Sequence, residues 1–262
     1  SGREEFGPFH GKPAKILYLD YDNPSRTVLY RFKNFVKMFG DCGDNFNVWS
    51  PSLISSDDGG EMNLGSEAGF KLLGDWLEVI QPNIVVIDTV RNAFGGLEEA
   101  NAAEWFKVNF VAKSIRTKFK ASVVLVHHRN KPGEGGLGRE AGSTAQLTDI
   151  DTQLMITTVY RDKAMAKNKA GLLDTDLRVT NFDGKEFSPT TYLEERLEPD
   201  SRIRMVQQIS FGKTRQQTEL HRTYYVGWAD RLADGTQYMV HTPSPKQQAI
   251  WLHINKAMSV EN

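Results

Sequence analysis

Ile84-Val85-Val86-Ile87-Asp88-Thr89 is the stretch whose reading decides the fold. Four consecutive β-branched apolar residues show no alternation between a wet and a dry face. They predict a strand covered on both faces, as in a parallel sheet between helices. The run then stops on a carboxylate. In open α/β sheets, ligands sit at the carboxyl ends of the strands, and an Asp there can hold magnesium, usually across a water. Many parallel strands end in Asp, where the plainer role is to cap the next helix.

Working outward, the same pattern recurs. Residues 15–20 (Lys-Ile-Leu-Tyr-Leu-Asp) and 122–127 (Ser-Val-Val-Leu-Val-His) are short apolar runs with polar ends, and 46–49 and 152–157 read as further strands. Between them lie helical periods. Val28, Leu29, Phe32, Phe35, Val36 and Phe39 come after Asn23-Pro24, read as cap and first helical residue, and end at Gly40. Residues 67–80 form a second helix, broken by Pro82, and Asn101 caps a third whose Trp105, Val108, Ile115 and Phe119 share a face. Strands alternating with helices predict an α/β fold with a parallel sheet and right-handed crossovers. Beyond residue 157 the pattern changes: 160–200 is polar and irregular, and 203–210, 223–228 and 237–240 read as antiparallel strands. A core over 1–242 with a helical tail over 243–262 is expected.

Composition narrows the function classes. The chain has 262 residues, 39% apolar and 25% charged, enough for one large domain with a sizeable core. Its one cysteine, Cys42, excludes an internal disulfide framework and a cysteine zinc cluster, and fits a reducing cytoplasm. No long apolar run predicts a membrane helix. The net charge of −1 argues against a basic coat for duplex binding. Charge is uneven locally: 111–131 holds six Lys and Arg and no acid, which fits either a solvated face or a local nucleic-acid contact.

The residues able to do chemistry gather at the predicted strand ends. Asp20 and Asp22 lie at the end of one strand, Asp88 and Thr89 at the next, and His127 and His128 at a third. A carboxylate beside the metal site can align water against a phosphoryl group, although Asp22 and Asn23 could equally cap the next helix. Adjacent histidines diverge on a strand, so one at most faces the site. Asp20, Asp22, Asp88 and His127 could instead form a two-metal hydrolase centre, a third reading weakened by that divergence.

In order and spacing, Leu-Tyr-Leu-Asp-Tyr-Asp-Asn-Pro, Val-Val-Ile-Asp-Thr-Val-Arg and Val-Leu-Val-His-His-Arg-Asn-Lys, then a Gly-rich stretch and Gly-Ser-Thr-Ala, resemble RecA-like ATPases of the plasmid RepA replicative-helicase group, relatives of DnaB-like ring helicases. The resemblance covers about residues 9–160 and implies ATP and Mg2+ as cofactors. It makes Asp88 the Walker B acid and metal ligand. It puts Asp22 where the family has its catalytic glutamate, and Asp20, Thr89 and His128 near the nucleotide. His127 would be the catalytic sensor. The loop 133–143, with Arg129, Lys131 and Arg139, would face single-stranded DNA in a hexameric channel. Farther on, Lys213 and Arg215 resemble the pair that ring helicases insert into a neighbour's nucleotide site, Arg215 as the finger; an exposed hairpin charge pair is the plainer alternative.

Two departures stand out. No G-x-x-x-x-G-K-[ST] occurs in the 262 residues; Gly212-Lys213-Thr214 has Gln207 where the first glycine belongs. The resemblance places the phosphate loop ahead of 7–15, so the chain is expected to be part of a longer protein and to bind ATP weakly by itself. A degenerate binding or assembly module is the alternative. The second departure is Asp22 itself, whose arm is shorter than glutamate's.

Overall fold

In the computed structural model, the described residues are 5–6, 9–10, 13–53, 62–98, 101–128, 150–161, 179–180, 186–214, 224–235 and 237–241. A two-residue ladder, β1 (Glu5–Phe6) with β2 (Phe9–His10), precedes the main elements. Then come β3 (Ile16–Asp20), α1 (Ser25–Phe39), β4 (Phe46–Trp49), α2 (Glu67–Ile80), β5 (Ile84–Asp88), the single turn α3 (Val90–Ala93), α4 (Ala102–Lys118) and β6 (Ser122–Val126). After these are β7 (Thr152–Arg161), the short pair β8 (Val179–Thr180) and β9 (Glu186–Phe187), α5 (Pro189–Glu194), β10 (Ser201–Thr214), β11 (Tyr224–Arg231) and β12 (Gln237–His241). Chain contacts divide the molecule into two compact units, Pro13–Ile150 and Asp151–Asn262, the second taking in residues 2–12.

The first unit is a parallel sheet in the order β4-β3-β5-β6. This is the α/β, RecA-like arrangement, with helices on the sheet. Leu17, Leu19, Val85 and Ile87 are fully buried and share one core with Leu73 and Leu77 of α2 and Val108 and Ile115 of α4. Each such side chain contributes about 1.5–3 kcal/mol of burial. The opposite face is covered less. Among the described residues α1 lies there, where Phe32 and Phe35 stack on Phe46 at 5.8 and 5.5 Å. Ile84 and Val86 are partly exposed and Val124 is 46% exposed. The apolar run of β5 predicts burial on both faces; one is sealed and the other half-covered.

Local chemistry explains the helix ends. Ser66 Oγ accepts from Gly69 N (3.1 Å) to start α2, and Gln81 takes a left-handed turn (φ 51°) before Pro82. Asn101 Oδ1 accepts from Ala103 N (2.9 Å) to start α4. The α1 start departs from expectation. Pro24 is the cap, not the first helical residue, and Asn23 turns its side chain back toward Asp20.

The second unit is an antiparallel sheet in the order β12-β11-β10-β7. Strand β7 is longer than the expected 152–157 and pairs antiparallel with β10, so it belongs to this sheet. Leu193 of α5 is fully buried on Ile203, Val206 and Tyr225. A Cβ on Gly227 would lie 3.0 Å from Val240 Cγ2 and 3.2 Å from Leu193 Cδ1, so a larger residue would require those side chains to give by a few tenths of an ångström. Sequence periodicity missed α5 because a six-residue helix spans too few turns to show a period. The expected tail helix lies outside the described residues. Among the described residues, no helix is long and apolar enough to cross a membrane.

Candidate active site at the carboxyl edge of the parallel sheet

Parallel register sets Asp20 beside Asp88, and Asp88 beside Val126. Three strand ends therefore meet along one edge. Asp88 is half-buried at the end of β5, and the hydroxyl of Tyr18 donates to its Oδ2. Burial pushes the Asp88 carboxyl up from the usual carboxylate range. The Tyr18 hydrogen bond pulls it back, the charges of Asp20 and Asp22 push it further up, and Arg31 of α1 opposes them. Burial, the bond to Asp88 and the neighbouring carboxylates likewise raise the Tyr18 phenol.

Asp20 is buried, 1% exposed, and shapes the exit from β3. Its Oδ1 accepts from Asp22 N (3.1 Å), Asn23 N (2.9 Å) and Asn23 Nδ2 (3.0 Å), and its Oδ2 from Asn23 Nδ2 (3.1 Å). Both oxygens are thus engaged in the turn. The turn is stitched to the next strand by Tyr21 N donating to Asp88 O (2.6 Å).

That turn projects Asp22 outward. Asn92 Nδ2, on α3, donates to Asp22 Oδ1 (2.8 Å), and His128 Nε2 lies 3.9 Å from Asp22 Oδ2. The two histidines follow the end of β6 and take different partners. His128 is exposed beside Asp22, whereas His127 meets Trp105 edge-on at 5.4 Å. Of the two, His128 is thus the one placed beside Asp22. Thr89 is buried, 2% exposed, and its carbonyl accepts from Ala93 N (3.0 Å) at the start of α3; the Asp88–Thr89 peptide is cis.

Among the described residues no three His, Cys, Asp or Glu side chains are grouped to hold a metal by themselves. This weighs against the two-metal reading. Asp88 does fit the more limited task of one carboxylate for a nucleotide-bound Mg2+. Tyr18 engages Oδ2, and the capacity of Oδ1 suits a metal-bound water. The phosphate cradle is another matter, since the sequence holds no lysine-bearing phosphate loop. Arg129, Lys131, Arg139 and Arg215 lie outside the described residues, and Lys213 is placed by its backbone alone, opposite Gln153.

Sequence reading missed Tyr18 and Asn92. Tyr18 carried a signal: it stands two residues before Asp20, on the same pleat face. Asn92 carried none, because a single-turn helix after the strand leaves no period to read.

No curated protein matches the chain. The family model described as AAA domain (AAA_25) matches residues 1–134, half of the chain. Such domains are nucleotide-hydrolysing ATPase domains of the P-loop type. With that match over the parallel sheet and its carboxyl edge, the chain belongs to the AAA domain family.

Proposed function

We propose that this chain is part of a ring-forming motor of the RepA/DnaB-like helicase kind, coupling ATP hydrolysis to movement along single-stranded DNA. The observation that carries the reading is the convergence of Asp88, Asp22 and His128 from three strand ends, with Asp22 oriented by Asn92. A carboxylate for a metal-bound water, a second carboxylate held aside and a histidine at a third strand end are among the parts that phosphoryl transfer to water needs. Mg2+, when bound with the nucleotide, would neutralise charge on the phosphates. Asp88 would hold it, Asp22 would orient the attacking water and take its proton, and His128 would sense the change beside Asp22. Arg129, Lys131 and Arg139 would contact the DNA backbone, with affinity falling as salt rises. A triple alanine variant of these three with unchanged DNA affinity and salt slope would remove that role.

The ring is tested through Arg215. If its guanidinium completes a neighbour's site, Arg215→Ala in the natural protein binds nucleotide yet loses turnover by on the order of a thousandfold. Subunits carrying Arg215→Ala, mixed with subunits carrying Asp88→Ala, should recover activity above either alone, because some interfaces pair an intact Asp88 with an intact Arg215. A natural protein that stays monomeric with nucleotide and DNA while hydrolysing ATP at full rate would defeat the ring reading. The second reading, a degenerate module that keeps the fold without turnover, is favoured by the absence of a phosphate loop from the 262 residues. A Gly-Lys-Ser or Gly-Lys-Thr loop elsewhere in the gene would remove it.

A further inference from the structure

We propose that Tyr18 is a positioning residue for Asp88, its phenol holding Oδ2 in place so that Oδ1 is the oxygen offered to a nucleotide-bound divalent cation. This rests on the reading of Asp88 as the metal carboxylate.

The geometry is dictated by the sheet. Register pairs Tyr18 with Val86 and Asp20 with Asp88, so Tyr18 sits two residues back from Asp88 along the neighbouring strand, on the same face. Two strand residues span about 6–7 Å. A tyrosine lying along the pleat covers that span and ends in a donor; phenylalanine or leucine would bring none. The ring is itself held. It stacks on Phe46 at 6.2 Å, and Phe46 is packed by Phe32 and Phe35 of α1. The donor is therefore aimed by an aromatic stack before any ligand arrives.

The consequence concerns Asp88 χ2. A carboxylate at a strand end can rotate, and a metal must then select one rotamer. A fixed donor on one oxygen removes that freedom in advance, and such supporting partners commonly contribute 10–100-fold to metal affinity. Asp20 is less well placed for the task, because it is buried and both its oxygens accept hydrogen bonds in the turn.

Tyr18→Phe isolates the effect, since it keeps the ring and its stack and removes only the hydroxyl. Mn2+ affinity in the ATP complex of the natural protein is measured by electron paramagnetic resonance, alongside ATP hydrolysis as a function of Mg2+. Tyr18→Phe is expected to weaken Mn2+ about tenfold. It should raise the half-saturating Mg2+ by a similar factor, the deficit shrinking as Mg2+ rises. Phe46→Leu keeps the hydroxyl but loosens its aim, and should weaken Mn2+ by a smaller factor. It also provides the test if Tyr18→Phe folds poorly. Wild-type Mn2+ affinity in both variants, with loss in Asp88→Ala, would overturn the role of Tyr18 and leave Asp88 intact. Wild-type Mn2+ affinity in Asp88→Ala itself would overturn the ligand role of Asp88, and this inference with it.

Discussion

The two sheets handle polar side chains in opposite ways. In the parallel sheet the strand interiors are apolar, and Asp20, Asp22, Asp88 and His128 collect at one edge, where like charges stand close and one carboxyl is driven up. In the antiparallel sheet polar groups run along the strands and pair across them. Arg204 meets Asp230 on the adjacent strand and Trp228 Nε1 donates to Gln207 Oε1 (2.8 Å), while Arg231 of β11 pairs with Glu198 in the segment before β10. Cross-strand pairing of opposite charges serves the fold. Gathering carboxylates at a strand end opposes the fold and serves a ligand. The difference separates a site from a scaffold more cleanly than residue type does, since both regions are rich in Asp and Arg.

The largest effect expected is on turnover. Asp88→Ala in the natural protein should lower ATP hydrolysis by on the order of a hundredfold or more, as for the loss of one preorganised electrostatic group. Normal turnover in a folded variant would show that the edge is not a site.

Next in size are the cores. Ile115→Ala opens a cavity beneath the parallel sheet, where Ile115 is fully buried, and should cost about 2–5 kcal/mol in urea denaturation. Leu193→Ala should do the same beneath the antiparallel sheet. A cost below about 1 kcal/mol at either place would show that its cluster is not a working core.

The contrast itself is tested by two charge changes of opposite sign. Arg204→Ala leaves Asp230, only 13% exposed, without that partner, and should destabilise by about 1.5–3 kcal/mol. Asp88→Asn should stabilise at neutral pH. The folded carboxyl binds its proton more tightly than the unfolded one, so stability is lost as pH rises from about 4 through the folded value, and the penalty is complete above it. The gain from Asp88→Asn should be present at about pH 7 and vanish below about pH 4. Thermal melts across that range measure it. A melting temperature that falls at neutral pH would place Asp88 with the scaffold.

The smallest effect is local. Asn101→Ala removes the cap of α4 and should cost about 1 kcal/mol. Loss well beyond that would mean that Asn101 does more than begin the helix.

Much of this was legible in the chain. The spacing of Leu73, Trp76, Leu77 and Ile80 required a helix over Glu67–Ile80, because a strand would turn Trp76 and Ile80 to the face opposite Leu73 and Leu77, whereas a 3.6-residue period keeps all four together, and Pro82 had to end it. The apolar runs ending in Asp20 and Asp88 required buried strands with carboxylates at their ends, because unpaired backbone is costly once apolar side chains are removed from water. What sequence could not settle was which strand lies beside which. Residues 152–157 read as one more strand of the series, and only the pairing of Thr152–Arg161 with β10 assigns it to the antiparallel sheet. Nor could it decide among the polar residues of the edge. Asp20 and Asp22 are two positions apart and chemically identical, yet a turn buries the first and presents the second to Asn92, 70 residues away. His127 and His128 are adjacent and equivalent on paper, and Trp105 takes one while Asp22 faces the other. Local sequence determines periodicity and strand ends because these depend on near neighbours. The partners of each polar atom depend on what the sheet brings alongside, and that exists only once the tertiary structure has formed.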